Sequence, residues 1–393
     1  MKKYRISILV IIIISSLLIY SCNEDIVPTE SNVENSLILE KHKHEEVTVS
    51  VFASGLNAPR GLKFGPDGNL YVAEAGLGGN ISTAGLCDQV IPPVGPYFGG
   101  NSARILKINC SGDVSIVADN LPSAENSLGD RLGVTDIAFK GNKLYALLAG
   151  GGCSHGNSDV PASIIKVNQN GSWSVFADLS TWQQNNPVAH PEVNDFEPDG
   201  SWYSLITAKG NLYAVDPNHG EMVKISNNGN ISRVIDFSAT YGHNVPTSVA
   251  YHGNFYVGDL KLFPIVAGSS NIYKVTLSGQ SQVWATGFTA ILGVTFDKKG
   301  NLYVLETSSV DGFPTPNTGR VIQVKHNGNR NVIVDSLTFP TAMTFGPDGA
   351  LYISNKGFGP PIPGFGEILK VEFRRHHDNN EAENEVVLSN TSE

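Results

Sequence analysis

The chain is poor in charge, in cysteine and in any catalytic signature written along the sequence. Only 16% of its 393 residues are Asp, Glu, Lys or Arg, and the acids prevail, for a formal net charge of −10. No cluster of Lys and Arg stands against that balance, which disfavours nucleic acid as a partner. Four cysteines are present, and none has the CxxC or Cys/His spacing that holds zinc. The nucleophile motif GxSxG, the metalloprotease motif HExxH and a phosphate-cradling glycine loop are all missing. Glycine is plentiful instead, at 41 residues. Low charge with many glycines suits an all-β protein full of turns, and the length allows one large core or two domains.

The N-terminus reads as a targeting segment. Lys2, Lys3 and Arg5 form a positive region, and Ile6 to Tyr20 form a short apolar one. A small residue then precedes Cys22 in the run Ile19-Tyr20-Ser21-Cys22, which resembles the lipobox of bacterial lipoproteins, where the cysteine is acylated after cleavage. Tyr20 departs from that pattern, and an uncleaved membrane anchor is the other reading. Both place the folded part on the extracytoplasmic side, in a periplasm or on the cell surface. Residues 1–22 are thus expected as signal peptide, 23–46 as a flexible acidic tether, 47–373 as the folded domain and 374–393 as a disordered polar tail.

The folded part is built on one repeated hairpin. APRGLKFGPDGNLYVAE (Ala58–Glu74) is nearly copied in FPTAMTFGPDGALYISN (Phe339–Asn355), and four weaker versions lie between: VTDIAFKGNKLYALL, YSLITAKGNLYAVD, TSVAYHGNFYVGD and GVTFDKKGNLYVLE. Each hairpin is followed by two more strand-like runs. The third run carries Lys107, Lys166, Lys224, Lys274, Gln323 and Lys370 at one register position. After the sixth third run no fourth follows. VSVFASGL (Val49–Leu56) has the missing pattern and stands before the first hairpin. Four-stranded units repeated in this way predict a six-bladed β-propeller, closed by the N-terminal strand completing the last blade.

The turns joining strands one to two and three to four are short and rich in Gly and Asn, so they share one face. The long connections share the other: residues 76–102, 149–161, 180–200, 261–269, 307–318 and 356–363. Long loops on a rigid scaffold are where binding residues gather, so a small molecule or a protein partner is expected on that face. The tether enters at the opposite face. Cys87 and Cys153 fall in long loops of adjacent blades and can pair, leaving Cys110 as the odd thiol.

Candidate functional residues follow from the repeat. The last residue of each hairpin is Glu74, Leu148, Asp216, Asp259, Glu306 and Asn355. Such a ring of oxygens at the channel mouth would suit calcium or magnesium; it would equally serve to cap backbone amides once per blade. Alternation turns Gly61, Asp136, Ser204, Ser248, Gly293 and Ala342 towards the axis. Asp136 is the one carboxylate among them and needs a partner, for which Arg60, Arg131 and Lys63 are near in the repeat. The loop before the third hairpin crowds His190, Glu192, Asn194, Asp195, Glu197 and Asp199, while His243 and Asn244 share its mouth. A general base or metal site can be built from such residues, and so can a solvated acidic loop.

VFASGLNAPRGLKFGPDGNLYVAEAG (Val51–Gly76), GVTDIAF (Gly133–Phe139), VPTSVAYHGNFYVGDLKLFP (Val245–Pro264) and GFTAILGVTFDKKGNLYVLE (Gly287–Glu306) resemble the ScyD/ScyE family of exported, NHL-like propellers. The resemblance spans about residues 49–373 and implies a six-bladed propeller with no settled catalytic activity, so no site residues carry over. Blade three departs from it, with EPDGSWYSLI and VDPNHG in place of the family's runs. A metal-dependent hydrolase or lyase, gluconolactonase-like or streptogramin-lyase-like, is the alternative. Against the first, Ala58-Pro59-Arg60-Gly61 offers no carboxylate where those hydrolases open.

Overall fold

The computed structural model describes residues 47–194 and 196–373. The signal segment with Cys22, the tether, the polar tail and Asp195 lie outside the described residues. The described chain forms six antiparallel sheets around an axis. Blade one holds β2 (Pro59–Phe64), β3 (Leu70–Glu74), β4 (Phe98–Ile108) and β5 (Val114–Glu125), with a short fifth strand, β6 (Arg131–Leu132). Blade two holds β7 (Val134–Lys140), β8 (Lys143–Leu148), β9 (Ser163–Val167) and β10 (Trp173–Asp178). Blade three holds β11 (Ser204–Ala208), β12 (Asn211–Asp216), β13 (Glu221–Ile225) and β14 (Ile231–Asp236). Blade four holds β15 (Pro246–His252), β16 (Asn254–Asp259), β17 (Ser270–Val275) and β18 (Ser281–Phe288). Blade five holds β19 (Ile291–Phe296), β20 (Leu302–Glu306), β21 (Gly319–Val324) and β22 (Arg330–Leu337).

Blade six closes the ring as the repeat predicts. Its strands β23 (Ala342–Phe345), β24 (Leu351–Asn355) and β25 (Gly366–Phe373) are completed by β1 (Val47–Leu56). Pairing runs from Val47 opposite Phe373 to Leu56 opposite Gly366. An outer strand drawn from the other end of the folded chain leaves no blade with a free third strand.

The register position read from the sequence has a cross-strand cause. The Tyr of the second strand lies opposite the Lys of the third: Tyr71 and Lys107, Tyr145 and Lys166, Tyr213 and Lys224, Tyr256 and Lys274, Tyr352 and Lys370. In blade five Gln323 takes the place, and its amide donates to Tyr303 Oη at 2.6 Å. Such opposite pairs are the local unit that holds sheet register. Between blades, Thr135, Thr247 and Thr341 donate to the carbonyls of Trp202, Ile291 and Pro59 in the next blade.

Two short helices, α1 (Leu179–Asn185) and α2 (Phe237–Tyr241), follow the fourth strands of blades two and three and were not expected from the repeats. Both start the same way. Asp178 accepts from the Thr181 N–H and Asp236 from the Ala239 N–H, each satisfying an amide that the first turn leaves open.

Cys87 and Cys153 form a disulfide across 66 residues, and Cys110 is an exposed free thiol. The bridge ties the long loop of blade one to that of blade two, where Thr83 Oγ1 also donates to the Cys153 carbonyl at 2.5 Å. Replacing both Cys87 and Cys153 by Ser should lower unfolding free energy by about 2–4 kcal/mol. Cys110→Ser should leave it unchanged. Denaturant titration with and without reductant checks both.

Candidate functional site

The acids that end the second strands are fully buried and spoken for. Glu74 Oε1 accepts from the Asn57 N–H at 2.7 Å, and its Oε2 meets Arg104 Nε of the third strand at 2.6 Å. Glu306 repeats both contacts, with the Thr289 N–H at 2.8 Å and Arg320 Nε at 2.6 Å. Asn355 Oδ1 accepts from the Thr338 N–H at 3.1 Å. In these three blades the capped amide lies 17 residues upstream, where the chain enters the blade. Asp259 takes the Val245 and Lys261 amides and the Lys261 ammonium, the last at 2.6 Å. Asp216 takes the amides of Ser201 and Asn218. Burial lifts the pKa of Glu74, Asp259 and Glu306, opposed by the paired Arg104, Lys261 and Arg320. Of the two readings the sequence allowed, a ligand ring and a set of caps, these contacts are the caps: the side chains take backbone amides that the sheet leaves unpaired, and Glu74 and Glu306 also reach the third strand.

On the axis, Asp136 is buried, but none of the three expected cations forms an ion pair with it. Its oxygens accept from the Ile137 and Leu205 amides at 2.8 and 2.7 Å and from Ser204 Oγ at 3.1 Å. Burial raises its pKa, and the more distant Lys63 charge opposes this. Arg60 turns to Asp130 at 2.8 Å and the Arg131 carbonyl at 2.7 Å, while Arg131 pairs with Glu125 at 3.3 Å. Gly61 is there for space, since a Cβ would stand 2.0 Å from Asp136 Oδ1.

Tyr203 reaches across the ring: its hydroxyl donates to the Thr341 carbonyl at 3.2 Å, joining blade three to blade six, half a turn away. Burial pushes the Tyr203 pKa up to about 12, so the hydroxyl stays protonated and keeps donating. A cavity of about 410 Å³ is lined by the far halves of first strands, among them Lys63, Ala138, Thr207, Ala250 and Thr295.

The loop before β11 is divided. Glu197 and Asp199 are buried, whereas His190, Glu192 and Asn194 stay at the surface or close to it. Asp199 Oδ2 accepts from the Ser154 N–H and Oγ at 2.8 and 2.7 Å. Glu197 lies 3.5 Å from His155 Nε2, a charge contact rather than a hydrogen bond, and accepts from Tyr97 Oη at 3.3 Å. Glu192 lies 3.9 Å from His243 Nδ1, and burial holds the His243 pKa below its ordinary value. Asn244 is buried, donating to Tyr273 Oη and Asp259. Among the described residues, His190, His243 and these acids are not brought into one centre; Glu197, Asp199 and Asn244 tie neighbouring segments together.

One group of possible metal ligands is present among the described residues: Asp216, His219 and Glu221, all buried. The sequence reading reached Asp216 but missed His219, Glu221 and the neighbouring Gln183. Its signal was the VDPNHG departure in blade three.

The fold defines a six-bladed β-propeller, and solved structures agree. Gluconolactonase from Xanthomonas campestris aligns at 11% identity and TM-score 0.51, covering 84% of this chain and 91% of its own. A PQQ-bound aldose sugar dehydrogenase from Streptomyces coelicolor aligns at 13% and 0.51, covering 84% and 99%. A glucose dehydrogenase aligns at 13% and 0.52, covering 83% and 100%. At such identities the likeness is one of fold alone. No protein-family model and no curated protein matches the chain.

Two outcomes follow. Glu306→Ala orphans the buried Thr289 amide and should cost about 1–3 kcal/mol, with Glu306→Gln recovering part, by denaturant titration. For His155, burial disfavours the charged ring, but Glu197, Asp199 and the Gly151 carbonyl outweigh it and raise the pKa. A raised histidine stabilises fully below the unfolded value of about 6.5 and loses that contribution as pH climbs through the folded value. The melting difference between wild type and His155→Gln should therefore shrink from pH 6 to pH 9; a flat difference counts against the charged pair.

Proposed function

We propose that this chain is an exported, lipid-anchored propeller of the ScyD/ScyE type that binds a protein partner on its long-loop face. The observation that carries the reading is where apolar side chains meet solvent. Leu86, Leu128, Val193, Phe263, Phe313 and Ile362 are exposed on connections of that face; Val51, Ile116 and Val332 are exposed too, but singly along outer strands. Phe263 and Phe313 stack with ring centroids 5.4 Å apart, held by the paired backbones of Ile265 and Gly312. Two exposed aromatic rings stacked across neighbouring blades make a contiguous apolar surface, which is the kind that marks an interaction site. A protein is favoured over a small molecule because Tyr203 reaches across the ring from blade three to blade six below this face. A hydrolase using the second-strand acids would need free carboxylates, and those here are buried in capping and ion pairs. The aldose dehydrogenase and gluconolactonase likenesses support the scaffold and no activity.

The test places a photo-cross-linking residue at Phe313 or, as control, at Asn228 in a short turn of the opposite face, in the native envelope. Discrete cross-linked species from position 313 and none from 228 are expected, with loss on Phe263→Asp. Equal cross-linking from both faces, or none from 313, overturns the reading. Labelling with a radioactive fatty acid that survives Cys22→Ser would remove the anchor.

A further inference from the structure

Blade three holds a group of side chains whose arrangement the capping pattern does not explain. β12 ends at Asp216, β13 starts at Glu221, and the connection between them carries His219. One carboxylate oxygen from each acid and a ring nitrogen of His219 all lie within 4.8 Å of one another. Gln183 of α1 closes the group: its Nε2 donates to Asp216 Oδ2 and, at 2.9 Å, to Glu221 Oε1. Two carboxylates thus converge on one neutral amide. Among the described residues, Arg233 is the cation paired with the group: its Nε meets the other oxygen of Glu221 at 2.6 Å. Two buried carboxylates that share one guanidinium make a place suited to a further cation.

Two orphaned acceptor atoms point the same way. His219 Nε2 lies 2.9 Å from the Glu197 carbonyl, so it carries the proton and leaves the lone pair on Nδ1. His219 is 4% exposed, and its Nδ1 has no hydrogen-bond partner. Gln183 Oε1 is also buried without one. Gln183 Oε1 and Asp216 Oδ2 both lie beside Gly200, where an added Cβ would stand 2.5 and 2.4 Å from them. Phe196 covers His219, with ring centroids 4.9 Å apart.

We propose that Asp216, His219 and Glu221, joined by Gln183 Oε1 once its amide turns, hold one divalent cation of the zinc, manganese or cobalt class. A donor set of one imidazole nitrogen with a few oxygens suits those ions. It has too few oxygens for calcium, and so enclosed a site leaves no space for the waters that magnesium keeps. The imidazole uses the arrangement usual for metal-bound histidine, with its second nitrogen donating to a backbone carbonyl. Asp216, His219 and Glu221 are all buried, so the ion is structural. It clamps α1 to the blade-three connection and, through His219 and Glu197, holds the acidic loop of the long-loop face.

The experiment uses the full chain in detergent, stripped with chelator and returned to Zn²⁺, Mn²⁺, Co²⁺, Mg²⁺ or Ca²⁺ one at a time. Expected are one equivalent of Zn²⁺, Mn²⁺ or Co²⁺ by elemental analysis, a higher melting temperature, and visible Co²⁺ bands showing nitrogen ligation. His219→Gln should weaken binding at least 100-fold, abolish those bands and melt as the stripped wild type does. Gln183→Ala should weaken binding about tenfold and gives a second reading if His219→Gln misfolds. Asp216→Asn is less informative, because Asp216 also caps two amides. No stoichiometric ion after reconstitution overturns the proposal. So does binding that both variants retain, which would trace the metal to other histidines of the chain.

Discussion

Closure of the ring by β1 against β25 is the constraint on which the rest depends. The two strands come from opposite ends of the folded chain, so the last blade is complete only when all the others are in place. Six blades drawn to one axis crowd their first strands, and small residues answer that crowding. Gly61 shows it most directly, because only hydrogen fits beside the Asp136 carboxylate. The same proximity lets a threonine in one blade reach the backbone of the next and lets Tyr203 span the channel to blade six.

A closed ring also decides where charge can go. Every blade must bring chain from its neighbour's outer strand back to the axis, and that crossing leaves amides with no sheet partner. Glu74, Glu306 and Asn355 supply the acceptor at one repeat position, and Arg104 and Arg320 compensate the two carboxylates from the third strand. Carboxylates used in this way hold the scaffold and are withdrawn from chemistry. Chemistry and recognition are left to what does not repeat: the long loops, the disulfide that ties two of them, and blade three.

Blade three differs in kind. α1 before it and α2 after it, together with a connection containing His219, put polar side chains under the long loop where other blades have only backbone and a cap. Glu197 belongs to this system twice, through its carboxylate beside His155 and through its carbonyl on His219. The loops of blades two and three are thereby coupled beneath the apolar surface that they help to form.

Much of this was legible in the chain because a repeat reports on itself. Hairpins that align fix strand order, a Lys that returns at one place fixes register, and a lone extra strand at the front fixes closure. The pairing of Cys87 with Cys153 followed from loop placement on adjacent blades. What the chain alone could not decide was where each side chain turned. Asp136 had three candidate cations by sequence and took backbone amides; the second-strand acids had a channel and a cap available and took the cap. Gln183, Asp216, His219 and Glu221 come together from a helix and a connection with no counterpart in most other blades. Repetition determines backbone geometry, since every copy must satisfy the same sheet. Contacts between residues that do not repeat depend on rotamers and loop paths, and only the folded ring settles those.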